Sequence, residues 1–215
     1  YFRHDSEAGI LEPIFSESSA ESLIDISISS SSSDTGYIAM LSNESLRIMD
    51  TSDQSIRILE SVSNSSVIAS SGPLVAFSEN SPSGPIVNIT SADSDLTLTI
   101  LLDARSSERI EESIRNSGDL LDFGNSTIVE LVMDSNWLVA TVDVGPFNRT
   151  IMVDTSSINQ TLISNPRWDS SSPSIGEGKV AFLQVTRDSI ISTSQDSLRN
   201  NDVYVYYIES AETRQ

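Results

Sequence analysis

Apolar and polar positions fall into short extended runs that come in pairs, and the pair recurs four times with the same polar ending. It reads Tyr37-Ile38-Ala39-Met40-Leu41 with Leu46 to Thr51, and Leu74-Val75-Ala76-Phe77 with Ile86 to Ser91. The third copy is Leu138-Val139-Ala140-Thr141 with Thr150 to Thr155, and the fourth is Val180-Ala181-Phe182 with Val203 to Ser210. β-Branched and aromatic residues dominate every run, which predicts strands. One such unit cannot bury its apolar faces alone, so the recurrence predicts stacked, radially repeated β-sheets.

Measured on the alanine shared by the four copies, the spacing is 37, then 64, then 41 residues. A further extended run follows each of the first three polar turns: Ser55 to Leu59, Leu96 to Leu102 and Gln160 to Ile163. The fourth copy reaches Thr213-Arg214-Gln215 just where its own run should begin, which predicts an incomplete last sheet. Leu23 to Ile28 alternates, with Ile24, Ile26 and Ile28 on one face and Asp25 and Ser27 on the other, as in a half-buried strand. Five serines, 29 to 33, follow it as a linker, so this strand is expected to pair with the last sheet and close the ring. The chain therefore divides into an N-terminal arm, 1–33, and a repeat domain, 34–215. An insertion around 104–125 lengthens the middle interval, with a short amphipathic helix expected within 106–117 and a strand from Ser126 to Met133. In the fourth copy the loop Gln184 to Asn201 is long enough to protrude.

Charge narrows the partners. The formal net charge is −19, from 31 acidic and 12 basic residues, and the single lysine is Lys179. A field of that sign repels nucleic acid and anionic lipid and favours cations and basic partners. Cysteine is absent, which excludes disulfides and thiolate chemistry. No apolar run approaches the roughly 18 residues of a membrane span, so membrane insertion is not expected. The start at Tyr1, without a leader, suggests a mature or excised product.

Asn43, Asn64, Asn88, Asn125, Asn148 and Asn159 each open an Asn-X-Ser/Thr sequon. Serine is abundant, 44 residues, so roughly three sequons would arise by chance among the asparagines. The excess points to N-glycosylation and to an extracellular or cell-surface location. Asn43 and Asn148 support it by falling in the turn within a pair, and Asn159 by falling in the next hairpin.

The segment Trp168-Asp169-Ser170-Ser171-Ser172-Pro173-Ser174-Ile175-Gly176-Glu177-Gly178-Lys179-Val180-Ala181-Phe182, followed by Asn201 to Ser210, resembles the TolB-type, WD40-like β-propeller repeat. That pattern places Trp before Ser-Pro, a Gly-rich turn, a Val-Ala-Phe strand and an Asp-Ile-Tyr-Val-Tyr-like strand. The other copies lack the Trp and Ser-Pro elements. The resemblance implies an all-β, small propeller of four or five blades, closed by the N-terminal strand or by a partner. It also implies a protein of the cell envelope or surface that serves as a platform for binding or assembly.

Residue chemistry adds little to that. The sole histidine, His4, sits in the arm, and neither HExxH, nor a phosphate-binding loop, nor a nucleophile elbow, nor a dinucleotide fingerprint is present. Lys179 follows a Gly-Glu-Gly turn and reads as solvent-facing. Carboxylates are the one catalytic resource, and two of them across a central channel would support glycoside hydrolysis. Asp50, Asp53, Asp93, Asp95, Asp154, Glu209 and Glu212 fall instead in hairpin turns, where Asp caps backbone. Asp93 with Asp95, and Asp50 with Asp53, also offer oxygens to a structural calcium; no other cofactor is expected. Tyr204 and Tyr206 share one strand face with Tyr207 opposite, which predicts blade-to-blade packing. The reading is a non-enzymatic extracellular propeller that binds a protein or glycan partner or self-assembles. The alternative is a carboxylate-dependent glycosidase.

Overall fold

The computed structural model describes residues 2–5, 10–13, 22–30, 36–60, 62, 65–103, 126–145, 147–165, 168–185 and 201–215, with only the backbone of 2–5, 10–13 and 201. The expected helix within 106–117, the insertion 104–125 and most of the loop Gln184 to Asn201 lie outside them. A short hairpin, β1 (Phe2–Asp5) with β2 (Ile10–Pro13), occupies the arm. The remaining strands form four antiparallel sheets of four, each a meander in chain order. The first sheet is β3 (Leu23–Ser30), β4 (Gly36–Ser42), β5 (Ser45–Asp50) and β6 (Ile56–Glu60). Then come β7 (Ile68–Ser71), β8 (Leu74–Ser81), β9 (Gly84–Ser91) and β10 (Ser94–Leu101). The third is β11 (Thr127–Asp134), β12 (Trp137–Val144), β13 (Phe147–Asp154) and β14 (Asn159–Leu162). The last is β15 (Asp169–Gly176), β16 (Lys179–Val185), β17 (Asn201–Tyr207) and β18 (Glu212–Arg214). The chain is a small all-β propeller with four blades among the described residues.

Two sequence expectations are corrected here. β3 pairs with β4, Ile26 opposite Met40 and Ile28 opposite Ile38, so Leu23 to Ile28 opens the first blade instead of completing the last. The last blade has its own fourth strand, since β18 pairs with β17 through Val205 opposite Arg214 and Tyr207 opposite Glu212. Three residues are too few to show a period, which is why it escaped the pattern.

The first strands β3, β7, β11 and β15 pack on one another from blade to blade, which places them toward the common axis and the fourth strands at the rim. Three apolar layers fill the spaces between blades. Ala39, Leu41, Leu46 and Ile48 meet Ile68, Val75 and Phe77 between the first two. Ala76, Val87, Ile89 and Ile100 meet Ile128, Leu138, Ala140 and Ile151 between the next two. Val139, Met152 and Ile163 meet Val180, Phe182 and Tyr206 in the third layer. Tyr204 joins that layer, while Tyr207 faces the other way under Arg214, as the period-two reading expected. Packed strand pairs join first to second, second to third and third to fourth blade, and each apolar layer among the described residues lies between successive blades.

The hairpins fix equivalence between blades. Tyr37 opposes Asp50, Leu74 opposes Ser91, Trp137 opposes Asp154, and Lys179 opposes Tyr207, each at the start of the second strand. Counting on from these, the residue matching Ala39, Ala76 and Ala181 is Val139, one position before the alanine by which the third copy was aligned. A slip of one exchanges the two faces of a strand, and Ala140 indeed packs back toward the second blade while Val139 packs forward toward the fourth. The turn joining β15 to β16 holds Glu177 at φ 50° and Gly178 at φ 71°, the double left-handed geometry that suits a two-residue hairpin.

Candidate functional site

The axial strands carry more polar residues than their neighbours, and those residues tie blade to blade. Asp25 on β3 accepts the Ile68 backbone N–H through Oδ2 at 3.0 Å and that of Ile26 through Oδ1 at 2.8 Å. Glu130 on β11 accepts the Ser172 N–H of β15 through Oε2 at 2.8 Å. Between these two struts, the Ser66 hydroxyl donates to the Ile128 carbonyl oxygen at 3.4 Å. Hydroxyls supply further ties: Ser27 with Ser70 at 2.7 Å, Ser29 onto the Gly72 carbonyl at 2.7 Å, and Thr150 onto Ser170 at 2.9 Å. A first strand has a ladder partner on one side only, so its inward backbone groups need other partners: the Asp25 and Glu130 carboxylates accept N–H groups of the next blade, and the Ser29 and Ser66 hydroxyls donate to its carbonyls. This explains part of the serine excess.

Where these strands converge lies a recess of about 430 Å³. It is lined by Val67, Ile68, Val129, Leu131, Val132 and Pro173 together with Asp25, Glu130 and Ser172. Each carboxylate keeps acceptor capacity beyond its backbone bonds. The recess therefore joins an apolar slot to two acceptors held by the scaffold. Neither carboxylate was among the sequence candidates. Asp25 stands on the polar face of the alternating run Leu23 to Ile28, and Glu130 within an apolar strand. The usable signal was a carboxylate on the first strand of a blade.

The carboxylates named as calcium ligands hydrogen-bond or pair near their turns. Asp50 Oδ1 accepts both the N–H and the hydroxyl of Ser52, at 2.7 and 2.6 Å, and Asp53 Oδ1 accepts the Ser55 N–H at 2.8 Å, which holds the Asp53 carboxyl below its usual range. Asp154 repeats the motif with Ser156 and Ser157. Asp95 pairs with Arg57 at 3.6 Å while fully exposed, and Asp93 donates its N–H to Ser91 Oγ at 3.2 Å. Burial, and then the carboxylates of Asp93, Asp50 and Asp53, push the Tyr37 hydroxyl upward. Among the described residues no three His, Asp or Glu side chains gather as a metal site.

Asn43 is exposed in the turn between β4 and β5, its Oδ1 accepting the Ser22 N–H at 3.3 Å, and Asn159 is exposed at the start of β14. Asn148 lies in β13 opposite Asp143, past the turn in which the sequence reading put it. Asn88 is buried, with Nδ2 donating to Glu79 Oε2 at 2.7 Å and Oδ1 accepting from Thr99, so a glycan there would break a buried contact. Asn64 and Asn125 lie outside the described residues, as does the side chain of His4. Lys179 is exposed, 5.9 Å from the Tyr207 ring. Arg149 is buried between the third and fourth blades. Its Nη1 donates to the Asn148 and Trp168 carbonyls at 3.1 and 3.2 Å, over the Phe147 ring. Burial, opposed by nearby Asp169, lowers its pKa to about 10, so it stays charged at neutral pH.

No family model and no curated protein sequence matches the chain. Solved structures do. The chain is similar over 99% of its length to the tricorn protease, with a TM-score of 0.60 at 14% identity, and covers 19% of that chain. Over 93% of its length it is similar to the β-propeller domain of the Trilobed protease from Pyrococcus furiosus, at 0.58 and 13%, covering 57%. It is also similar over 99% to TolB from Acinetobacter baumannii, at 0.56 and 10%, covering 47%. The chain thus spans less than two thirds of each of these chains. At such identities the likeness bears on fold alone, and the fold is a β-propeller like those of these proteins.

Proposed function

We propose that this propeller is a non-enzymatic binding module of the cell envelope or surface, and that its axial recess takes a cationic side chain from a basic protein partner. The observation that carries this is the recess itself: Val67, Val129 and Val132 line it where an aliphatic stem would lie, and Asp25 and Glu130 line it where the charged head would be received. A net charge of −19 brings such a partner in. The surface location rests on the sequons and the acidic composition; Asn43 and Asn159 are the exposed positions for glycans, and Asn88 stays bare. Glycopeptide mass spectrometry of native protein checks that assignment, and glycan-free Asn43 and Asn159 would remove the basis for it.

Titration calorimetry with a Lys/Arg-rich peptide tests the binding. Glu130→Gln keeps an oxygen for the Ser172 N–H while removing charge, and is expected to weaken binding about tenfold, near 1.4 kcal/mol. Equal affinity of wild type and variant would refute the recess as the site. A second reading draws on the same pair, because two carboxylates lining one recess are what glycoside hydrolysis requires. Hydrolysis of nitrophenyl glycosides, abolished by Glu130→Gln, would favour it over simple binding.

A further inference from the structure

Three of the axial strands depart from regular pairing at the same depth. Asp25 opposes Leu41, Glu130 opposes Thr141 and Ser171 opposes Leu183, which are matching positions of the second strands in their blades. Beside each of them the register shifts: Ile24 is the extra residue of β3, Val129 that of β11, and in β15 Ser172 and Pro173 together face one residue of β16. A bulge re-aims the side chains next to it, and Asp25, Val129, Glu130, Ser172 and Pro173 all line the recess. Ser172 is held at φ 53°, a left-handed backbone uncommon for serine, with its N–H on Glu130 Oε2. The bonds that fasten this corner also use up acceptors. Three of the four oxygens on the two carboxylates already accept a backbone N–H: Asp25 Oδ1 from Ile26, Asp25 Oδ2 from Ile68, and Glu130 Oε2 from Ser172. Neither carboxylate therefore offers an uncommitted pair of oxygens.

Resting on the reading of this recess as a site for a cationic side chain, we propose that it selects lysine over arginine, so that the partner inserts a primary ammonium. A guanidinium binds a carboxylate best through two parallel N–H bonds, one to each oxygen, and that fork meets no free pair here. An ammonium needs no pair, because each of its three donors takes a single lone pair from a separate acceptor. Asp25, Glu130 and Ser172 are the three polar residues of the lining, and they match those three donors in number. The five N–H donors of a guanidinium exceed them, and a donor left unpaired against Val67, Val129 and Val132 costs affinity. The unbranched lysine stem suits the same apolar lining. The net charge of −19 attracts both residues equally, so the discrimination belongs to the recess and not to the long-range field.

Titration calorimetry on the 215-residue chain tests this with two peptides of equal length and charge, one carrying lysines spaced by Gly-Ser and the other arginines at the same places. The lysine peptide is expected to bind about tenfold more tightly, at low and at physiological salt alike, since the field screened by salt is common to both. Glu130→Gln, which keeps an oxygen for the Ser172 N–H, is expected to weaken the lysine peptide and bring the two affinities together. The wild-type comparison stands without the variant. Equal affinities, or tighter binding of the arginine peptide, in wild type overturn the selection; if Glu130→Gln still weakens both peptides, the recess remains the site and only the choice of lysine falls. Binding of both peptides that Glu130→Gln leaves unchanged, or no binding of either, overturns the recess as the site and this proposal with it.

Discussion

At the scale of single residues, polar side chains here mostly satisfy backbone. Asp154 shows the logic: its carboxylate accepts the Ser156 and then the Ser157 hydroxyl, and these bonds hold its pKa below the usual value. A carboxyl lowered in the folded state stabilises above its unfolded pKa, and that contribution is lost as pH falls through the folded value. Melting of Asp154→Asn against wild type is therefore expected to show its largest gap at neutral pH, shrinking below about pH 3.8. A gap that widens in acid would contradict the account. The same turns were legible from sequence, because Asp followed by Ser is local chemistry. Asp25 and Glu130 were not, since what they bind lies on the next blade, 43 and 42 residues along.

At the scale of elements, the strands and hairpins could be read from periodicity, but the alignment between them could not. The third copy offered Val139 and Ala140 side by side, and composition favoured the alanine, whereas the hairpin with Asp154 opposite Trp137 selects Val139. Exposed Ile28 likewise departs from its pattern: the alternation marked an apolar face correctly, on which Met40 and Met49 are buried while Ile28 is not. Face assignment has a measurable consequence. Ala39 is fully buried between blades, so Ala39→Leu overpacks and is expected to cost about 1–3 kcal/mol, while Ala181→Leu, at the half-buried matching position of the last blade, costs less, under about 1 kcal/mol. Urea denaturation of both variants reads the difference; equal losses would mean that the two alanines occupy the same environment.

At the scale of the molecule, the four meanders stack through three apolar layers and a set of axial polar struts. The struts hold the first strands at a fixed separation, so the recess is a property of the assembled blades and of no single one. That is why sequence reasoning reached a propeller but not its site. Whether this recess binds is read by amide hydrogen exchange with and without a Lys/Arg-rich peptide. The account predicts slowed exchange in segments covering 65–68 and 127–134, on β7 and β11, with the rim strands β6, β10 and β14 unchanged. Protection confined to the rim strands, or none at saturating peptide, would contradict it.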